Sequence, residues 1–260
     1  MKTSSPLLRA SRRLVIAPCR ICVLALACFF GVATIAAADG GREAVYSQRA
    51  ETAYEHAQSK YRSQMDNPVA GWEFGRACYD WADFATNKAQ RAAIAHEGIA
   101  ACQQSLVFTN SAFAHYYMAM NMGQLAQSET LGALKLVHEM EREFLATADM
   151  DPGVDFAGPA RGLGLLYRDA PGWPMSIGNR AKARKYLESA ATLAPNDPEN
   201  ILNLGESDLR WGDKTAATKE LSALDALWPS AQKALTGPAW ESSWDDWVKR
   251  RDTLREKLGL

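Results

Sequence analysis

Histidine, cysteine and arginine are the residues through which this chain would do chemistry, and their spacing decides which chemistry is open to it. The histidines are His56, His96, His115 and His138. His96-Glu97 and His138-Glu139 each begin a zinc-protease helix pattern, but neither has a second histidine four residues after the first. No Gly-x-Ser-x-Gly nucleophile turn and no glycine-rich phosphate loop occurs. Cys19-Arg20-Ile21-Cys22 is a CxxC with no histidine after it, which does not suit haem attachment. The sequence therefore predicts a non-enzymatic protein with no catalytic residue, no metal and no cofactor.

Two other groups of residues can bind rather than react. Cys78 and Cys102 fall at facing levels of one predicted helical hairpin. In an exported protein they can form a disulfide, or they can be two small buried apolar side chains of a tight helix crossing; the spacing leaves both open. Arg76, Arg161, Arg168 and Arg210, with Asn203 and Glu206, fall at outward positions of first helices, where a basic groove would hold a carboxylate or an acidic segment in bidentate pairs. Tyr116 and Tyr117 either line that groove or join the core. The segment 169–178 is longer than its turn requires and carries Trp173, Met175 and Ile177. These three either cover their own hairpin or form a lip over a partner site.

Such groups need helices to position them, and the chain is written in helical spacing. From Glu43 onward apolar residues recur every three to four positions, without sustained alternation of period two. Ala183, Leu187, Ala190 and Pro195 repeat 34 residues later as Ala217, Leu221, Leu224 and Pro229. Leu163-Gly164 and Leu204-Gly205 occupy the matching first-helix positions, with Gly212-Asp213 at the turn between helices. This spacing resembles the tetratricopeptide repeat. The expected fold is all-α: a tetratricopeptide-like right-handed solenoid of about four helical hairpins, with small residues where paired helices approach and Pro195 and Pro229 ending second helices. Two weaker hairpins come first, around Phe74-Gly75 to Cys102 and around Phe113–Leu125 with Thr130–Ala148. An extra helix at about Glu43–Gln64 precedes the array. A capping helix at about Ala239–Lys257 closes it, with Trp240, Trp244, Trp247 and Val248 inward and Asp245, Asp246, Lys249 and Arg250 toward water.

Charge and hydropathy divide the 260 residues in two. Residues 1–38 carry five bases and no acid, and 39–260 carry 24 bases and 30 acids, which excludes a globally basic nucleic-acid binder. A basic start, the apolar run Ile21–Ala37 and Ala36–Ala38 before Asp39 form a secretory-signal pattern with cleavage near Asp39. Ser11-Arg12-Arg13 touches a twin-arginine pattern and Cys28 a lipidation site, and neither is complete. The expected organisation is a signal peptide at 1–38 and one repeat domain at 39–260, periplasmic or secreted, with no membrane span in the mature chain.

Within the array, residues 67–230 resemble a narrower family, the T component of tripartite (TRAP-type) transporters. The resemblance is carried by Ala114-His115-Tyr116-Tyr117, Gly162-Leu163-Gly164-Leu165-Leu166-Tyr167, Ala170-Pro171 and Gly178-Asn179-Arg180-Ala181-Lys182-Ala183-Arg184. It implies a periplasmic accessory protein that contacts another periplasmic protein, a solute-binding component of the transporter. The second expectation is a carrier of a small apolar or carboxylate ligand in a cavity of the array.

Overall fold

The computed structural model describes residues 35–128 and 133–260. The twin-arginine pattern, Cys28 and most of the expected signal peptide lie outside the described residues. Among the described residues there are ten α-helices and no strand. They are α1 (Ile35–Ser63), α2 (Pro68–Ala82), α3 (Lys88–Phe108), α4 (Ala112–Ser128), α5 (Ala133–Met150), α6 (Gly158–Asp169), α7 (Arg180–Leu193), α8 (Pro198–Arg210), α9 (Lys214–Ala234) and α10 (Glu241–Leu258).

The helices pack as a solenoid of hairpins. α2 lies on α3, α4 on α5, α6 on α7 and α8 on α9, and each hairpin stacks on the next through α3 with α4, α5 with α6 and α7 with α8. α10 covers the last hairpin by packing on α8 and α9. Local chemistry starts the helices where it should. Asn67, Asn87, Asn179, Asp197 and Asp213 each accept a backbone N–H from the first turn of the helix they precede. The α8–α9 turn needs a left-handed residue, and Gly212 supplies it at φ +81°.

The tight crossings are where small residues were expected. A Cβ at Gly164 would stand 2.7 Å from Leu187 Cγ, and one at Gly75 would stand 2.2 Å from Cys102 Sγ. Gly205 is looser, with Glu220 and Leu254 side chains at 3.3 Å. Cys102 thus fills the space over Gly75 within the large central cluster, while Cys78 packs with Phe74 and Ile94 in a different cluster. Both thiols are free and buried, so the disulfide reading is corrected: the two side chains serve two separate packing layers.

Three sequence expectations fail at the C-terminal end. Val248, expected inward with the tryptophan stripe, is exposed because it stands one position past buried Trp247. Pro195 follows α7, but Pro229 lies inside α9, which runs on to Ala234. A proline removes one intrahelical hydrogen bond. Burial of Trp228 before it and Ala231 after it, among Trp240 and Trp247, holds the helix together across the break. Arg250 was expected to face water and instead turns inward onto α8.

The leading helix is longer than expected and starts at Ile35. Its C-terminal half is fixed to the first hairpin, where Tyr54 and Tyr61 meet Phe74 with ring centroids 5.5 and 5.4 Å apart. Its N-terminal half reaches the far end of the array. Arg42 and Tyr46 each bond Asp245 of α10 at 2.8 Å, and Arg49 pairs with Glu241. A helix of 29 residues spans about 43 Å at 1.5 Å per residue, enough to tie the first hairpin to the last.

Candidate functional site

One of the arginines expected on an open groove, Arg161, belongs to a polar seam inside the solenoid. Arg161 is only 3% exposed. Its guanidinium donates to Asp155 Oδ2 at 2.8 Å, Asn200 Oδ1 at 3.0 Å and the Phe156 carbonyl at 3.2 Å, and lies 3.7 Å from Asp197. Tyr116, buried, donates its hydroxyl to Asp155 at 2.7 Å. The reason the register misled is that every residue of α6 from Gly158 to Tyr167 is buried. The loop 151–157 and α8 cover the face that would otherwise look outward.

That loop holds an unusual backbone. Asp155, Phe156 and Ala157 have φ of 48°, 56° and 63°, three consecutive non-glycine residues in the left-handed region, at roughly 1–2 kcal/mol each. Arg161 and Asn200 bind the Asp155 and Phe156 carbonyls and hold the turn. The turn in turn delivers the Asp155 carboxylate to the buried guanidinium.

The seam continues through α8 to α10. Glu199 accepts from Arg250 at 2.8 Å, from Trp247 Nε1 at 2.7 Å and from Asn203 at 2.9 Å. Arg250 also bonds Asn203 and both oxygens of Glu206. Burial opposes the charge on Glu199, but Arg250 and Arg161 outweigh it and hold its carboxyl at about 2. Burial likewise opposes the charge on Arg250, and Glu199 and Glu206 raise its pKa well above the usual value. Asn203 is buried here rather than facing a groove.

The remaining expected cations also face carboxylates of the chain itself. Arg76 lies 3.8 Å from Asp80. Arg168 chelates Asp169 and donates to Ser207, and Arg210, half exposed, pairs with the same Asp169. A carboxylate ligand would have to displace these acids. Tyr117 is buried as well. Ile177 packs on the core, whereas Trp173 and Met175 are 89% and 68% exposed and cover nothing. His115 is held between Glu143 and Asn110. Among the described residues no group of three or more His, Cys, Asp or Glu is placed to hold a metal ion.

Beside the seam, α1 roofs a cleft of about 280 Å³. Tyr46, Arg49, Ala50 and Ala53 of α1 form one wall, and Asp80, Asp83, Phe84, Glu199, Asp246 and Trp247 lie among the others. Four carboxylates and Arg49 line it, and three of the four already face guanidinium groups of the chain: Asp80 faces Arg76, and Glu199 and Asp246 face Arg250. The helix α1 and Asp246, Trp247 and Glu199 were not among the expected site residues. The signal in the sequence is the tryptophan stripe of the capping helix, which by itself predicts packing alone.

The family described as regulator of microtubule dynamics protein 1-3 matches residues 35–144, less than half of the chain. The match takes in α1, the first hairpin and most of the second. It leaves out the strained turn, the Trp173 loop and the capping helix. No curated protein matches significantly. Among the described residues no helix is long and apolar enough to cross a membrane.

Proposed function

We propose that this chain is an exported, non-enzymatic binding protein of tetratricopeptide type, whose partner or ligand enters the cleft beneath α1. The observation that carries the reading is the cleft's construction. A helix from the start of the array closes over residues of α2, α8 and α10, and an ordered polar seam fixes Glu199 and Trp247 in its wall. The lining favours a cationic group, seated against Tyr46 and Phe84 and added to the pairs that Asp80 and Asp246 make with Arg76 and Arg250. A basic side chain of a partner protein meets that description, and so does a small amine, for which the volume is at the lower end of ligand pockets.

The resemblance of residues 67–230 to the T component of TRAP-type transporters supports a solute-binding protein as the partner. The microtubule-dynamics description belongs to the family matched at 35–144; the chemistry of the cleft carries the reading for this chain. A photo-crosslinking side chain at Ala53, in the cleft, should capture an envelope polypeptide that the same group at exposed Ser222 of α9 does not. Equal capture at both positions, or none at Ala53, would end the partner reading. A shift of the melting temperature with an aliphatic diamine, absent with a dicarboxylate, would favour the small-ligand form. The proposed mature chain starts near Asp39, and N-terminal sequencing that finds Met1 retained or a lipid on Cys28 would contradict that start.

A further inference from the structure

We propose that the turn end of the third and fourth hairpins is a docking surface for an anionic lipid bilayer, with Trp173 and Met175 as the inserted tip. The loop between α6 and α7 is built to project this tip. Gly178 donates its N–H to the Pro171 carbonyl and Asn179 to the Tyr167 carbonyl, both at 2.8 Å, which closes the base of the loop. The chain folds back on itself so closely there that a Cβ at Gly178 would meet the Ala170 carbonyl at 2.0 Å. Ile177 anchors the loop on the core and Ser176 is buried, while Trp173 and Met175 point into solvent at 89% and 68% exposure. A loop this well tied that leaves its largest apolar side chains uncovered has a use for them outside the fold.

The charge around the tip selects the surface it fits. Arg180, Lys182 and Lys185 at the start of α7, and Lys214 at the start of α9, are exposed. The acids of this end face arginines of the chain: Asp169 faces Arg168 and Arg210, Asp208 faces Arg184, and Asp213, partly open to solvent, faces Arg184 as well. Arg180 and Arg184 lie over the Trp211 ring, each 5.3 Å from its centroid, so the two turns form one face. The face is thus locally basic on a body in which acids outnumber bases. A protruding tryptophan flanked by cations suits a flat anionic interface. The indole sits at headgroup depth and the cations meet the phosphates.

The test uses the protein as the cell produces it. Vesicles of phosphatidylcholine alone, and of phosphatidylcholine with phosphatidylglycerol, are floated with it. Hydroxyl-radical oxidation of Trp173 and Met175 is read by mass spectrometry. The protein should float with the anionic vesicles and not the neutral ones, and salt should release it. The tip residues should be protected only when anionic vesicles are present. Trp173→Ala with Met175→Ala, and separately Lys185→Glu with Lys214→Glu, should each weaken binding about tenfold. All four side chains are exposed, and circular dichroism confirms that the fold is retained. The proposal is overturned if anionic vesicles do not bind, if both variants bind as the parent does, or if the tip is oxidised equally with and without vesicles. Protection of the tip by an acidic polypeptide, with no vesicle binding, would also overturn it and assign the face to a protein.

Discussion

Glu199 shows what an ionised carboxylate needs to stay inside this fold: two guanidinium groups near it, an indole N–H and an amide. Its carboxyl is held at about 2 against an ordinary 4.5. A depressed folded pKa means the stabilisation is fully present above the unfolded value and is lost as pH falls toward the folded one. Between about pH 4.5 and 2 the chain should therefore lose roughly 3 kcal/mol through this group. Urea denaturation at several pH values should show that Glu199→Gln lacks this share of the acid sensitivity; equal acid slopes in parent and variant would refute the assignment. Arg161 is the complementary case. Its removal takes the guanidinium away from the Asp155 and Asp197 carboxylates and frees a left-handed turn. Arg161→Ala should cost about 3–5 kcal/mol in chemical denaturation, whereas an outward groove arginine would cost under about 0.5.

At the level of helices, stability rests on crossings where one side has no side chain. The closest is Gly75 under Cys102. Gly75→Ala should destabilise by about 1–3 kcal/mol, and Cys102→Ala in the same chain should recover part of that, because the added methyl would occupy the sulfur's place. Additive effects in the double variant would show that the two residues do not share the space. These crossings were legible in the sequence because a 34-residue period and small residues at fixed offsets are local facts. So were Trp240 and Trp247, buried as the apolar stripe requires. Arg161 and Arg250 were not legible, since their burial is decided by segments far along the chain: the turn at 155–157 for one, Glu199 and Glu206 for the other. Pro229 was misread for a related reason. The local rule ends a helix at proline, and tertiary burial of Trp228 and Ala231 overrides it.

Across the whole molecule, α1 converts an open array into one with a covered cleft, and its two halves are held by different forces. Residues Tyr54, Ala57 and Tyr61 pack on the first hairpin. From Arg42 to Arg49 the bonds to α10 are polar; the Arg42 and Arg49 ion pairs are exposed and the Tyr46 bond to Asp245 is half-buried. The long separation between these partners, and the polar character of α1 on nearly every side, left no pattern in the sequence that could announce the bridge. Exposed ion pairs contribute only about 0.2–1 kcal/mol each, so the roof over the cleft should open far more readily than the array unfolds. Asp245→Ala with Glu241→Ala should change global stability by about 1 kcal/mol or less, while amide exchange over residues 42–53 accelerates and that over 54–62 stays slow. Raised salt should act in the same direction on the parent chain, since screening weakens exposed pairs first. Acceleration along all of α1 would mean that the helix docks as one unit. No acceleration would mean that apolar contacts seal the roof, and the cleft would then admit a partner only through its edge.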